Sequence, residues 1–336
     1  MSLPESQLER LERTVPVDVR DPERVMGKSP TQLAYGRFRR DKLSMTALMV
    51  VVFYVVAGVL APIMVALNVI HPTALNQNLL DVNLGGVPKG HWGGTSWHHL
   101  FGVEPRTGTD LLARLWYGLT FSLTIALTAS IVAVVIGVVL GIISGFSGGW
   151  VDGIIGRLID LTLSFPQTLM LLALSATGVA LFAKVIHQGA NDPLPNGVYE
   201  VLVLALFGWP SVARLIRGQV LSIREREFID AARLLGASRR RLYFKEILPN
   251  LWAPVLVQFT LIMPAYVSAE AALSFLGVGI KPPTPTIGNI LLDSVNFSAA
   301  DFSYFFYPAL LLAIVVVSFN LLGDGMRDAL DPKAER

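Results

Sequence analysis

Apolar residues arrive along this chain in long runs, not in the stripes of an amphipathic soluble protein. Runs of about 20 residues, roughly the length that crosses 30 Å of hydrocarbon, lie at Leu43 to Val69, Leu119 to Ser144, Ile154 to Phe182, Val198 to Leu215, Trp252 to Phe275 and Phe302 to Leu322. They predict six membrane-spanning helices and an all-α, polytopic membrane protein. The third and fourth runs are interrupted, one by Asp160 and Pro166, the other by Trp209-Pro210. Such breaks are tolerated where neighbouring helices or water satisfy the freed backbone groups, so both runs are expected to face protein. Between the runs lie segments rich in Gly, Pro, His and Trp, at Ile70 to Tyr117 and at Gly277 to Asp301, and these predict irregular, turn-rich loops.

Composition agrees with the lipid reading. Of the 336 residues, 53% are hydrophobic and only 15% charged, which excludes an ordinary soluble domain. The formal charge of +2 says little, but the placement of the 27 basic residues says more. Residues 1–42 carry nine, Arg157 is one, residues 214–250 carry nine and the C-terminal tail carries three. The intervening segments hold only Lys89, Arg106, Arg114, Lys184 and Lys281. By the positive-inside rule both termini are expected in the cytoplasm, which requires an even number of spans. The expected layout is a cytoplasmic tail at 1–42, a membrane domain at 43–322 with an outer loop at 70–117 and a cytoplasmic loop at 216–251, and a second cytoplasmic tail at 323–336. The first 42 residues lack the pattern of a cleaved signal peptide. With no cysteine, disulfides and thiolate chemistry are excluded.

The cytoplasmic loop carries the most specific pattern. Glu227-Phe228-Ile229-Asp230-Ala231-Ala232-Arg233-Leu234-Leu235-Gly236-Ala237-Ser238 reads as a helix with small residues at Ala231 and Ala232. Gly236 is suited to the left-handed turn that ends it, and Ser238 to capping the helix that follows. Pro249, in Leu248-Pro249-Asn250, is expected to stop that second helix before the membrane. This pattern resembles the EAA loop of ATP-binding-cassette (ABC) importer permeases, with Asp230 in place of the usual Glu. Three more segments are similar to the C-type permease of the dipeptide, oligopeptide and nickel family: Gly148-Gly149-Trp150-Val151-Asp152 with Arg157, Asp160 and Leu163-Ser164-Phe165-Pro166; Leu273-Ser274-Phe275-Leu276-Gly277-Val278-Gly279-Ile280 with Pro282-Pro283-Thr284-Pro285; and Gly323-Asp324-Gly325-Met326-Arg327-Asp328-Ala329-Leu330-Asp331-Pro332. The stretch Gly102 to Asp110 departs from that family, with Gly108-Thr109-Asp110 where Gly-Arg-Asp is usual.

The resemblance implies a type I ABC importer permease fold in the bacterial cytoplasmic membrane and a pore subunit that performs no chemistry on its cargo. It implies a second, homologous permease, two cytoplasmic ATPases that hold the ATP and Mg, and an extracytoplasmic solute-binding protein, with no nucleic acid among the partners. Asp230, Ala231, Ala232, Gly236, Leu248 and Pro249 would form the contact that couples the permease to the ATPases. Its cargo would be peptides, while a glutathione-like tripeptide or a nickel or other metal chelate fits the same family. A secondary transporter driven by an ion gradient is the competing class, but it would place paired ionisable residues at mid-membrane, and the sequence offers no convincing set.

Other residues have simpler readings. Gly137, Gly141 and Gly145 recur every fourth position and predict a groove along one helix face where another helix packs. Asp160 sits one turn after Arg157, which favours a local ion pair. Glu270, near the outer end of the fifth span, has competing uses: meeting a peptide's amino group on the translocation path, gating the pore, or, most simply, reaching the outer headgroups. His91, His98 and His99 have no diagnostic metal spacing, and no metal site is expected. Gly27-Lys28-Ser29 lacks the first glycine and the preceding strand of a phosphate loop, so no nucleotide is expected on this chain.

Overall fold

The structure is a computed structural model that describes residues 30–330. The Gly27-Lys28-Ser29 stretch, most of the N-terminal tail and the Asp331-Pro332 end of the C-terminal motif lie outside the described residues. The chain runs through α1 (Pro30–Arg40), α2 (Lys42–Ala66), α3 (Leu111–Ser147), α4 (Gly149–Ser164), α5 (Gln167–Ile186), α6 (Pro193–Ile223), α7 (Glu227–Leu234), α8 (Arg239–Phe275), α9 (Ile287–Val295) and α10 (Phe302–Leu330). Six of these helices, α2, α3, α5, α6, α8 and α10, are long and apolar enough to cross a membrane. Six crossings return the chain to its starting side. The end of α10, the start of α2 and the α6–α8 connection therefore share one face, called here the terminal face; residues 67–110 and 276–301 form the opposite loop face.

Each boundary has a local cause. Asp110 starts α3 by accepting a bond from the Ala113 amide at 2.7 Å, and Asp41 caps α2 in the same way. Leucine, valine and alanine then carry α3 through 37 residues, about 55 Å at the usual rise. The third predicted span divides. Phe165 is extended and Pro166 has no amide hydrogen to give, so the run breaks there into α4 and α5, and α5 is the crossing segment. Trp209-Pro210 leaves α6 unbroken; both residues are buried against neighbouring helices.

A spine of α3 and α6 organises the interior. Ala126, Ala129 and Ala133 of α3 and Leu204, Val212 and Ile216 of α6 are fully buried in one continuous core to which α8 and α10 contribute Val267, Leu273 and Val315. On the loop face, two short antiparallel strands pair Leu80 with Pro88 and Asp81 with Val87. Beside them, Glu104 and Arg114 form a buried ion pair at 2.8 Å, and Thr109 donates to the second oxygen of Glu104. Burial pushes the Glu104 carboxyl up from its usual range, against the opposing pull of Arg114. The Gly108-Thr109-Asp110 departure noted in the sequence is thus where the loop supports a buried glutamate and caps α3.

Candidate functional site

The α6–α8 connection forms a projecting knuckle. After α6 ends at Ile223, α7 is anchored by one fully buried side chain, Ile229, while Asp230 and Ala231 are exposed and Ala232 is half-buried. Gly236 takes φ +75°, its amide donates to Arg233 O at 2.9 Å, and the Ala237 amide donates to Ala232 O at 3.0 Å. This pair of bonds is the helix-ending arrangement that favours glycine at that position. Ser238 then accepts from the Arg241 amide at 3.3 Å and opens α8. Asp230 makes a 3.1 Å ion pair with Arg233 on α7 itself.

Pro249 does not stop the second helix. Residues 242–247 widen into a π turn in which the Leu248 amide reaches back five residues to Tyr243 O, and Leu248–Leu251 then tighten into a 3₁₀ turn. Pro249 falls at the start of the 3₁₀ turn, where its missing amide hydrogen leaves no bond unmade, and the helix runs on to Phe275. Leu248 is half-buried and Pro249 exposed.

Sequence reasoning missed the knuckle's tip and its mount. Leu234 and Leu235 are 89% and 85% exposed, with basic Arg233, Arg239, Arg240 and Arg241 beside them. Adjacent leucines after an Ala-Ala pair were readable as a helix's apolar continuation; only the turn at Gly236 turns them outward. The mount is aromatic: Phe146 at the end of α3 packs edge-on to Tyr243 at 5.2 Å and lies under the Arg233 guanidinium at 5.2 Å. Nearby, Arg217 of α6 grips Asp152 of α4 with two bonds of 2.6 and 2.7 Å. That grip holds the Asp152 carboxyl down to about 2, with a further bond from Ser144. Asp160, expected to pair with Arg157 one turn away, instead meets Arg214 of α6 at 2.6 Å, because α4 lies against α6.

Gly137, Gly141 and Gly145 line the face of α3 on which α6 lies. A Cβ at Gly141 would sit 2.8 Å from Ile216 Cβ and 2.9 Å from Ala213 O, and one at Gly145 2.8 Å from Val220 Cβ. Val212, Ile216 and Val220, all fully buried, repeat every fourth residue to match the glycines.

Glu270 does not reach a surface. It is fully buried, and Ser274 Oγ donates to its Oε1 at 2.9 Å. The headgroup reading fails because residues 277–286 and α9 fold back over the end of α8. Thr286 and Asn289 cap α9 reciprocally there, and the Ile287 amide donates to Ser122 Oγ of α3 at 3.2 Å. The histidines do not converge: His99 Nδ1 lies 2.7 Å from Asp110 Oδ2, and among the described residues no group of three or more His, Asp or Glu is placed to hold a metal.

Residues 137–336 match the family of binding-protein-dependent transport system inner membrane components, and residues 29–84 match the N-terminal transmembrane domain of oligopeptide transport permease C. The dipeptide transport system permease protein DppC of Escherichia coli K12 is 38% identical over 308 residues, 92% of this chain and 95% of that protein. The oligopeptide transport system permease protein OppC of Bacillus subtilis is 32% identical over 319 residues, 94% of each chain. Among solved structures, an inward-facing form of the MetNI methionine ABC transporter superposes with a TM-score of 0.51 at 17% identity, covering 66% of this chain and 98% of that one.

Proposed function

We propose a function from one premise: the chain belongs to the family of binding-protein-dependent transport system inner membrane components, and it acts as the C-type pore subunit of an ABC importer that moves dipeptides or oligopeptides. Relatives named for dipeptide and oligopeptide transport, similar over more than nine-tenths of the chain, support the cargo class. The terminal face is cytoplasmic in this reading, supported by the 22 of 27 basic residues that flank it. ATP and Mg belong to two partner ATPases, a homologous permease completes the pore, and a binding protein delivers cargo to the loop face.

The observation that carries the reading is the knuckle. An exposed apolar tip at Leu234 and Leu235, with a small-residue flank at Ala231 and Ala232, suits insertion into a cleft on another protein. Its mount converts displacement into movement of whole spans: α7 touches α3 through Arg233 and Phe146 and leads directly into α6 and α8. ATPase closure against the tip would rock those helices and alternate access across the pore.

Gly236→Arg and Ala231→Arg test this. Arginine at Gly236 forces a side chain into a left-handed turn, and arginine at Ala231 fills the flank that approaches the ATPase. Both variants are expected to insert normally while peptide uptake falls at least about ten-fold and ATP hydrolysis ceases to respond to peptide-loaded binding protein. Normal uptake in both would exclude the knuckle as the coupling element, and absence of ATPase subunits from gently solubilised wild-type protein would count against the ABC assembly itself.

A further inference from the structure

Two glutamates are enclosed near the loop face with no basic partner. Glu200 of α6 and Glu270 of α8 are both fully buried, and among the described residues neither forms an ion pair with Lys, Arg or His. Both oxygens of Glu200 and Oε2 of Glu270 have no hydrogen-bond partner in the chain. Gly279 and Ser274 bring the two together: a Cβ on Gly279 would meet both Glu200 Oε1 and Ser274 Oγ, and Ser274 Oγ bonds Glu270 Oε1 at 2.9 Å. A polar group buried without partners costs on the order of 1–3 kcal/mol, and more when charged, so enclosing these carboxyls calls for a ligand, a water or a proton to satisfy them.

The polar side chains linked to Glu270 are hydroxyls. Ser274 Oγ bonds Glu270 Oε1, Thr286 Oγ1 donates to Ser274 Oγ at 3.3 Å, and Ser122 Oγ accepts from the Ile287 amide next to Thr286. Gly279 packs directly on Glu200 Oε1 with φ +122°, and any side chain there would collide with that oxygen. Ser274 and Gly279 also wall a cavity of about 750 Å³ that opens on the loop face between Glu104, Arg114, Asp293 and the Pro282-Pro283 segment. Ser274 and Gly279 therefore stand between the cluster and the cavity.

We infer that Glu200 and Glu270, with the hydroxyls of Ser122, Ser274 and Thr286, form an internal binding site for a hard divalent cation of the calcium class, loaded from the loop-face cavity past Ser274 and Gly279. The donor set contains only oxygen, which excludes the nitrogen and sulfur preference of zinc and copper. Two carboxylates balance a divalent ion, whereas sodium would leave one charge uncompensated inside the membrane domain. Magnesium holds its waters in a strict octahedron, which an enclosed cluster cannot accommodate as readily as calcium's variable shell of six to eight oxygens. Bound there, the ion ties α3, α6 and α8 to the 277–286 segment and fixes the loop-face end of the membrane domain.

The test uses the full-length chain, purified in detergent and stripped with chelator. Radioactive Ca²⁺ is titrated by equilibrium dialysis, and thermal unfolding is followed with Ca²⁺, Mg²⁺ or Na⁺ added singly. One Ca²⁺ per chain and a rise in Tm with Ca²⁺ beyond that with Mg²⁺ or Na⁺ are expected. Glu200→Gln and Glu270→Gln are each expected to weaken Ca²⁺ binding roughly ten-fold or more. Gln keeps the shape and removes a buried charge, so in chelator both variants should unfold at or above the wild-type temperature. Wild-type protein whose Tm and dialysis show no response to Ca²⁺, or a Ca²⁺ response undiminished in both variants, would overturn the site; an equal response to Mg²⁺ or Na⁺ would overturn the assignment to calcium.

Discussion

Asp152 and Arg217 illustrate what a single pair contributes at the terminal face. Two charge-assisted bonds join α4 to α6, at a position where solvent still reaches a third of the arginine side chain. Screening limits such a pair to about 1 kcal/mol. Its pH dependence has a definite sign. The folded-state carboxyl is held down to about 2, below the unfolded value of 3.8, so the contribution is present above 3.8 and is lost as pH falls through about 2. Thermal unfolding of the detergent-solubilised protein should show this pair contributing equally at pH 5 and pH 8. Asp152→Asn should lower Tm at both values, and the gap between variant and wild type should close only in strongly acidic buffer. A gap that already closed at pH 5 would contradict the assignment.

At the scale of elements, a packing groove on α3 was legible, because glycines at intervals of four share one helix face, but the helix that fills it, where Val212, Ile216 and Val220 of α6 repeat at the same interval, was not. Gly236 and Ser238 were legible for a similar reason, since ending and capping a helix are local acts. Partners distant along the chain were not. Nothing near Asp160 in sequence announces Arg214, and Glu200 is an isolated acid in an apolar run whose neighbour, Glu270, lies on a helix two connections later. Pro249 was misread because a proline's effect depends on the helix geometry around it, and a π turn followed by a 3₁₀ turn leaves its nitrogen where no bond is due. The groove supports a sharp expectation. Gly141→Leu drives a branched side chain into Ile216 and the Ala213 carbonyl, an overpacking that typically costs 1–3 kcal/mol or more. The variant should lose several degrees of Tm, whereas Gly218→Leu, at an open position on α6, should lose little. Equal loss in the two would mean that α3 and α6 do not pack along this face.

For the whole molecule, the long α3–α6 spine connects two unlike ends. The terminal face carries basic residues and a projecting knuckle with an apolar tip; the loop face carries a structured segment with a hairpin, a buried ion pair and a deep cavity. Leu234 is joined to the loop face by α6 on one side and, through the Gly236 turn and the π and 3₁₀ turns, by α8 on the other. The proposed function demands that these ends lie on opposite sides of the membrane, with the knuckle inside the cell. Because the chain has no cysteine, a single introduced thiol reports its own side without background. Leu234→Cys, at an 89% exposed position, should react with a membrane-impermeant maleimide only in inside-out vesicles, and Trp97→Cys, 94% exposed in the loop-face segment, only in intact spheroplasts. The reverse pattern would place the knuckle beyond the reach of any cytoplasmic ATPase. Labelling of both positions from one side would require an even number of crossings between them, where α3, α5 and α6 make three, and so break the six-span arrangement on which the two faces are defined.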